Sequence, residues 1–264
     1  MANLNSQQAL YGHIVTLMQE HLEKDDDHVV YEALTHNDIR HACQAIRQTD
    51  SGEIEFQHLT LRFGNDDEQS VDQFDLSPNV KYCLDLYSLS LALHQTGFQL
   101  DTFHPDLISN VVVPVQVEAL IWGPGHAFFK QIIQGHKLAL AHVIPALQLS
   151  EQLGFNPAVV ELIERIDNFA YALWFEVSPP CALLESLTQF KPSMLKLAVS
   201  LDTKHDRNAF LPIVRYLKKH KLKWVASRVA SQKELNQYKL LGASYYFGYF
   251  SDIPTSLSFK NLAI

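Results

Sequence analysis

The 264-residue chain reads as an α/β protein closed into a TIM-like (β/α)8 barrel, with a helix ahead of it. Three observations predict this fold. Beyond Leu34, short β-like runs alternate with longer helical stretches, the pattern of a mostly parallel sheet covered by helices. Eight such runs can be marked, which favours closure over an open sheet. The length also suits one barrel, which needs about 250 residues.

From Ser6 to about Lys24, Leu10, Ile14, Leu17, Met18 and Leu22 recur at helical spacing and predict an amphipathic helix. Its apolar face suits packing on its own barrel or docking a partner. The acidic run Asp25, Asp26, Asp27 breaks the pattern and predicts an exposed connection. The domain division expected is therefore a helical extension over residues 1–34 and a barrel over residues 35–264.

The β-like runs fall at residues 42–46, 53–63, 110–117, 137–144, 169–177, 194–201, 223–229 and 244–250. Helical stretches are expected near residues 80–95, 126–134, 145–166, 181–190, 208–220 and 232–241, with Gly135, Gly154 and Gly242 near their ends. The first two runs are joined by Asp50-Ser51-Gly52, too short a link for a helical crossover. They must pair antiparallel, unlike the strands of an ordinary barrel.

Composition narrows the function. The formal charge is −8 and the pI near 5.9, which disfavours general nucleic-acid binding. The basic stretch at residues 218–223 reads as solvated helix-end charge. Cys43, Cys83 and Cys181 are odd in number and far apart, which argues against a disulfide framework or zinc site and for a reducing cytoplasm. No signal peptide or membrane span is expected, since no apolar run approaches the roughly 20 residues that cross a bilayer. The thirteen histidines include the pairs His36/His41 and His136/His142, neither at the spacing of a helical metal motif. No phosphate loop, dinucleotide fingerprint or serine elbow is present, and Trp122-Gly123-Pro124-Gly125 reads as a turn before a helix.

Three segments carry a family resemblance. "CQAIRQTDSGEIEFQHLTLRF" resembles the opening of EAL domains, the cyclic-di-GMP phosphodiesterases, with their first strand, turn and EAL-x-R-W strand in order. "LKLAVSL" resembles their "LKID" strand. "KLKWVASRVASQKELNQYKLLGASYYFGYF" resembles their closing stretch, and the match spans about residues 35–255. "YEAL" at Tyr31 to Leu34 precedes the first strand and is a coincidence.

The resemblance implies an EAL-type barrel with an antiparallel first strand. Family chemistry uses two divalent cations held by carboxylates and an asparagine at the strand ends. The matching positions here are His58, Pro114, Ala141 with Ile144, Trp174, Phe175, Ala198, Ser227 with Ala230, and Phe247. Lys196 keeps the lysine, and Gln44 and Arg62 match residues that touch nucleotide. A slip of a residue or more in the fourth and fifth strands would bring Glu176 or Glu161, the nearest carboxylates, into the mouth. Trp174, Phe175 and Phe247 are expected to fill that mouth, as a plug or a stacking surface. The expectation is thus a degenerate EAL domain with no catalytic residues, metal or cofactor, lacking phosphodiesterase activity. It would regulate bacterial signalling by binding a protein partner, with a non-hydrolysing cyclic-di-GMP receptor as the alternative. A homodimer is implied by the resemblance alone.

Overall fold

A computed structural model describes residues 7–64, 69–198, 201 and 203–256. Helices α1 (Gln7–Gln19) and α2 (Asp25–Thr35) lead into the antiparallel hairpin of β1 (Ile39–Gln48) and β2 (Ile54–Phe63). Its turn closes as Gly52 N–H donates to Gln48 O at 3.0 Å, with Gly52 at φ +75°, a conformation that glycine adopts without Cβ strain. A two-residue strand β3 (Gln69–Ser70) edges β2 before the long helix α3 (Pro78–Thr102).

Parallel strands follow: β4 (Val111–Gln116), β5 (Val143–Gln148), β6 (Trp174–Val177), β7 (Met194–Ala198), β8 (Lys223–Ser227) and β9 (Tyr245–Tyr246). Helices α4 (Val117–Ile121), α5 (Gly123–Gly135) and α6 (Lys137–Leu140) lie between β4 and β5. Helix α7 (Pro157–Phe169) precedes β6, α8 (Lys204–His220) follows β7, and α9 (Gln232–Leu241) follows β8. β9 pairs antiparallel with the far end of β1, at Arg47 and Gln48, and this closes the ring. β1 therefore opposes the direction of the other barrel strands. A last segment, β10 (Thr255–Ser256), pairs with β1 at Ala42 and Cys43.

The core has two parts. Outward-facing strand residues and the inner helix faces form a continuous shell, which includes Val113, Leu147, Phe175, Leu197 and Trp224. Inside the ring, Ile46, Phe56, Val112, Ile144, Ala146, Trp174, Met194, Val225, Tyr245 and Phe247 fill the barrel. Phe56 packs edge-on against Trp174 at 5.0 Å and Tyr245 at 5.6 Å, an aromatic layer near the strand starts.

Several expectations need correction. Asp25 to Asp27 are not an exposed connection but the first turn of α2, where acidic side chains suit the helix dipole. Asp27 is buried, and its carboxylate accepts from the backbone N–H groups of Glu23, Lys24 and Ser77 at 2.9 Å each. Burial pushes its pKa up, but these donors outweigh burial and hold it below the usual range. Leu10, Ile14, Leu17 and Met18 are buried in the same shell as the barrel, so α1 packs on its own chain.

The run at 137–144 is not a strand: its first half is α6, and the strand is β5, beginning at Val143. Much of 169–177 is the end of α7 and a bend, and the paired part of 244–250 is β9. The expected helix at 145–166 is strand at its start and α7 at its end. Ser6, residues 199–200 of the expected sixth strand and residues 257–264 of the expected barrel domain lie outside the described residues.

Candidate functional site

The C-terminal ends of the parallel strands surround an open cavity of about 720 Å³. Strand alternation decides what enters it. In β2, His58, Thr60 and Arg62 follow Phe56; in β4, Pro114 and Gln116 follow Val112. In β5, Ala146 lies in the interior and Gln148 reaches the mouth. Trp174 and Met194 lie in the interior, while Glu176 and Lys196 rise above them into the mouth. Ser227 follows Val225 in β8, and Arg228 stands beyond it. Helix α3 adds Lys81, Asp85 and Ser88 to the wall.

The floor is an ion pair. Lys196 Nζ donates to Glu176 Oε2 at 2.8 Å, with side chains 5% and 15% exposed. Gln148 Nε2 donates to the same oxygen at 2.8 Å. Burial raises the Glu176 pKa, but the Lys196 charge and these bonds hold it below the usual carboxylate range. Lys196 also lies 5.7 Å from the Phe247 ring centroid, a cation–π contact. On the wall, Asp85 Oδ2 accepts from Gln116 N at 2.9 Å and Nε2 at 3.2 Å. Burial pushes its pKa up to about 7, with Glu176 and Glu118 adding to the rise.

His58 sits beside the floor, 5% exposed, its ring 4.5 Å from that of Phe247. Its Nε2 is buried without a hydrogen-bond partner. Burial, then Lys196, Arg62 and Arg228, hold its pKa well below the ordinary value, so it is neutral. At the rim, Arg228 pairs with Asp72 at 3.1 Å. Its backbone is left-handed, φ 61°, a conformation that costs a non-glycine residue about 1 kcal/mol or more.

The loop after β9 forms the far rim. Gly248 packs so tightly that a Cβ there would lie 2.2 Å from the Val229 backbone. Arg47 grips Asp252 with two bonds of 2.8 Å, and Gln44 Nε2 donates to Asp252 O at 2.6 Å. This fixes a loop whose Tyr249 and Ile253 are exposed.

No protein-family profile matches the sequence. No curated protein matches it either. Solved structures do match. The PaMucR phosphodiesterase in complex with c-di-GMP superposes with a TM-score of 0.70 at 18% identity, covering 88% of this chain and 98% of that one. Vibrio cholerae LapD, an S helix-GGDEF-EAL chain bound to c-di-GMP, gives 0.69 at 16% identity over 89% of this chain and 57% of its own. The Bacillus subtilis YkuI protein, with an EAL domain in complex with c-di-GMP and calcium, gives 0.67 at 14% identity over 89% and 58%. The fold is that of EAL domains.

Within this EAL-type barrel the residues singled out by sequence separate. His58, Pro114, Lys196, Ser227, Phe247, Gln44 and Arg62 all line the mouth. Ala198 ends β7 beside Ser227. Ala141 does not belong to a strand; it is exposed in the turn before β5, where Gln148 is the mouth-facing residue. Ile144 is barrel interior and Ala230 an exposed loop residue. Trp174 packs in the barrel interior, and Phe175 faces outward, 6.1 Å from Phe190. The mouth is therefore not plugged by aromatics; Phe247 alone of the three lines it.

Of the two carboxylates that a register slip could bring in, Glu176 lines the mouth, whereas Glu161 is exposed on α7 and pairs with Arg165 at 2.8 Å. Gln116 and Gln148 follow from the strand period of two once the register is known. Lys81 and Asp85 sit one helical turn apart on α3, and nothing in the sequence ties that helix to the strand ends.

Proposed function

We propose that this chain is a non-catalytic EAL-fold protein of cyclic-di-GMP signalling that regulates by binding a protein partner. The observation that carries the reading is the state of Glu176. The carboxylate that the barrel strands aim into the mouth is already neutralised by Lys196. Gln148 on the adjacent strand and Gln116, Ser227 and His58 on strands farther round the ring are uncharged.

A two-metal phosphoryl centre needs several anionic oxygens converging on hard cations. Among the described residues no group of three His, Cys, Asp or Glu side chains is placed to hold a metal ion. Asp85 approaches from the wall, but its Oδ2 is already occupied by two bonds from Gln116. The donor set does not fit two divalent ions. The exposed Tyr249 and Ile253 on the clamped rim loop suit protein contact, where aromatic anchors dominate.

The test is direct. Incubation with cyclic di-GMP and Mg²⁺ or Mn²⁺ is expected to release no linear pGpG above a no-protein control. Steady product release would overturn the reading. A second reading, a receptor that binds cyclic di-GMP without cleaving it, is favoured by the open mouth and by Arg62 within it. Calorimetric heat with cyclic di-GMP that Arg62→Ala abolishes would support this reading.

A further inference from the structure

At the end of the barrel opposite the mouth, main-chain bonds stitch the loops together around the ring. Gln57 N donates to Asn110 O, Val111 N to His142 O and Tyr171 N to Val143 O, at 3.0, 3.0 and 3.2 Å. Ser193 N donates to Leu173 O, Ser244 N to Trp224 O and Thr49 N to Ser244 O, at 2.9, 3.0 and 3.0 Å. A face held this way is ordered before any partner arrives. One arc of it carries large exposed apolar side chains: Phe103 and Leu107 ahead of β4, Leu138 ahead of β5, and Phe169 and Tyr171 ahead of β6. Leu107 and Leu138 are 76% and 81% exposed. Contiguous apolar surface of this kind marks an interaction site. The rest of the face is charged and divided by sign. Asp50, Glu53 and Glu55 stand exposed at the β1–β2 turn; Lys191, Lys221 and Lys223 stand exposed at the starts of β7 and β8. None of these six has an ion-pair partner among the described residues.

The order of strands around the ring, β1-β2-β4-β5-β6-β7-β8-β9, makes this face complementary to itself. Let two copies meet end to end about a two-fold axis lying across the face, through β5 and β9. Then β4 stands against β6 of the other copy, β2 against β7, and β1 against β8. The apolar arc meets the apolar arc, with Leu138 on the axis against its own copy. Leu240, 85% exposed near the end of α9, lies on the axis at the other side. The acidic turn of each copy meets the lysines of the other. Lys137, beside Leu138, answers Asp106 and Asp167, the acidic residues of the apolar arc. Turning the axis by one strand in either direction sets charge on the apolar arc instead. We propose that a second copy of this chain docks on this face, forming a two-fold dimer whose mouths point outward. An isologous contact repeats each pairing twice, which suits a face with one acidic and one basic sector. The mouth and the rim loop of Tyr249 and Ile253 stay free at the outer ends, so the inference is independent of what they bind.

The experiment is sedimentation velocity on the full chain over a range of concentrations, at low and at high salt. A species of twice 30.0 kDa is expected to form with concentration, and to weaken in high salt as the charges are screened. Leu138→Glu sets two carboxylates together on the axis and should raise the dimer Kd on the order of thirtyfold, the scale of a central anchor. Charge reversal tests the pairing. Asp50→Lys with Glu53→Lys, and separately Lys191→Glu with Lys223→Glu, should each leave the chain monomeric. Mixed together, the two reversed variants should dimerise, because every pairing is then of opposite sign. All five substituted side chains are exposed, so Tm and far-ultraviolet circular dichroism should not change. The proposal is overturned if the parent stays monomeric throughout, or if Leu138→Glu or either reversal dimerises as tightly as the parent. It is equally overturned if mixing the reversed variants restores nothing. Growth with concentration beyond a dimer would also sink it, since that marks a head-to-tail contact that does not close.

Discussion

Lys196 and Glu176 show how a single neighbour sets what a residue can do. Glu176 alone would be a cation ligand; beside Lys196 it is half of a buried ion pair. Such a pair need not add stability, but breaking it leaves an uncompensated buried charge. Lys196→Met is therefore expected to cost about 3 kcal/mol in urea unfolding. The double variant with Glu176→Gln should recover most of that loss, because no charge is then stranded.

His41 is a second case. It is fully buried between Ser88 Oγ at 3.0 Å and Gln95 Oε1 at 3.1 Å, and burial pushes its pKa down to about 4. The unfolded chain takes up the proton near pH 6.5, whereas the folded chain resists until about pH 4. This contribution is thus complete above pH 6.5 and lost as pH falls toward 4, at up to roughly 1.4 kcal/mol per pH unit. His41→Asn should flatten the stability profile in that window. The strand-end identities at His58, Lys196 and Phe247 were legible because residue and place coincide in the sequence. The ion pair was not, because its members lie twenty positions apart on neighbouring strands.

At the scale of elements, α1 and α2 show where local pattern succeeds and fails. The apolar spacing of α1 marked the residues that are buried. Three consecutive aspartates read as solvent-facing because charge is seldom buried unpaired. What overrides that expectation is a tertiary contact: Asp27 also accepts the N–H of Ser77, fifty residues on, at the start of α3. Asp27→Ala is expected to cost about 3 kcal/mol by stranding buried N–H donors. Amide hydrogen exchange should show the protection of Glu23, Lys24 and Ser77 lost together. The β5 error has a similar origin. Residues 137–144 are apolar apart from Lys137 and His142, and periodicity cannot separate a short buried strand from a buried helical turn. Pro145 was expected to open a helix, yet it lies inside β5, paired with Val113.

At the scale of the whole molecule, α1 shares the shell of apolar residues with α3 and the barrel. Deleting residues 1–24 should expose this face and remove four buried side chains, Leu10, Ile14, Leu17 and Met18. Each contributes about 1.5–3 kcal/mol. The truncated chain is expected to aggregate or to lose its near-ultraviolet circular dichroism; a soluble, native-like product would contradict the shared core. No helix among the described residues is long and apolar enough to cross a membrane.

The sequence by itself determined the alternation of strands and helices, the antiparallel opening hairpin and several of the residues around the mouth. These are properties of neighbours in the chain: apolar period, turn chemistry and motif order. Tertiary structure alone decided that Glu176 is tied to Lys196, that Lys81 and Asp85 reach the mouth, and that Trp174 leaves it open. Those outcomes depend on inter-strand register and on the docking of α3, and both are set by packing between segments far apart in sequence.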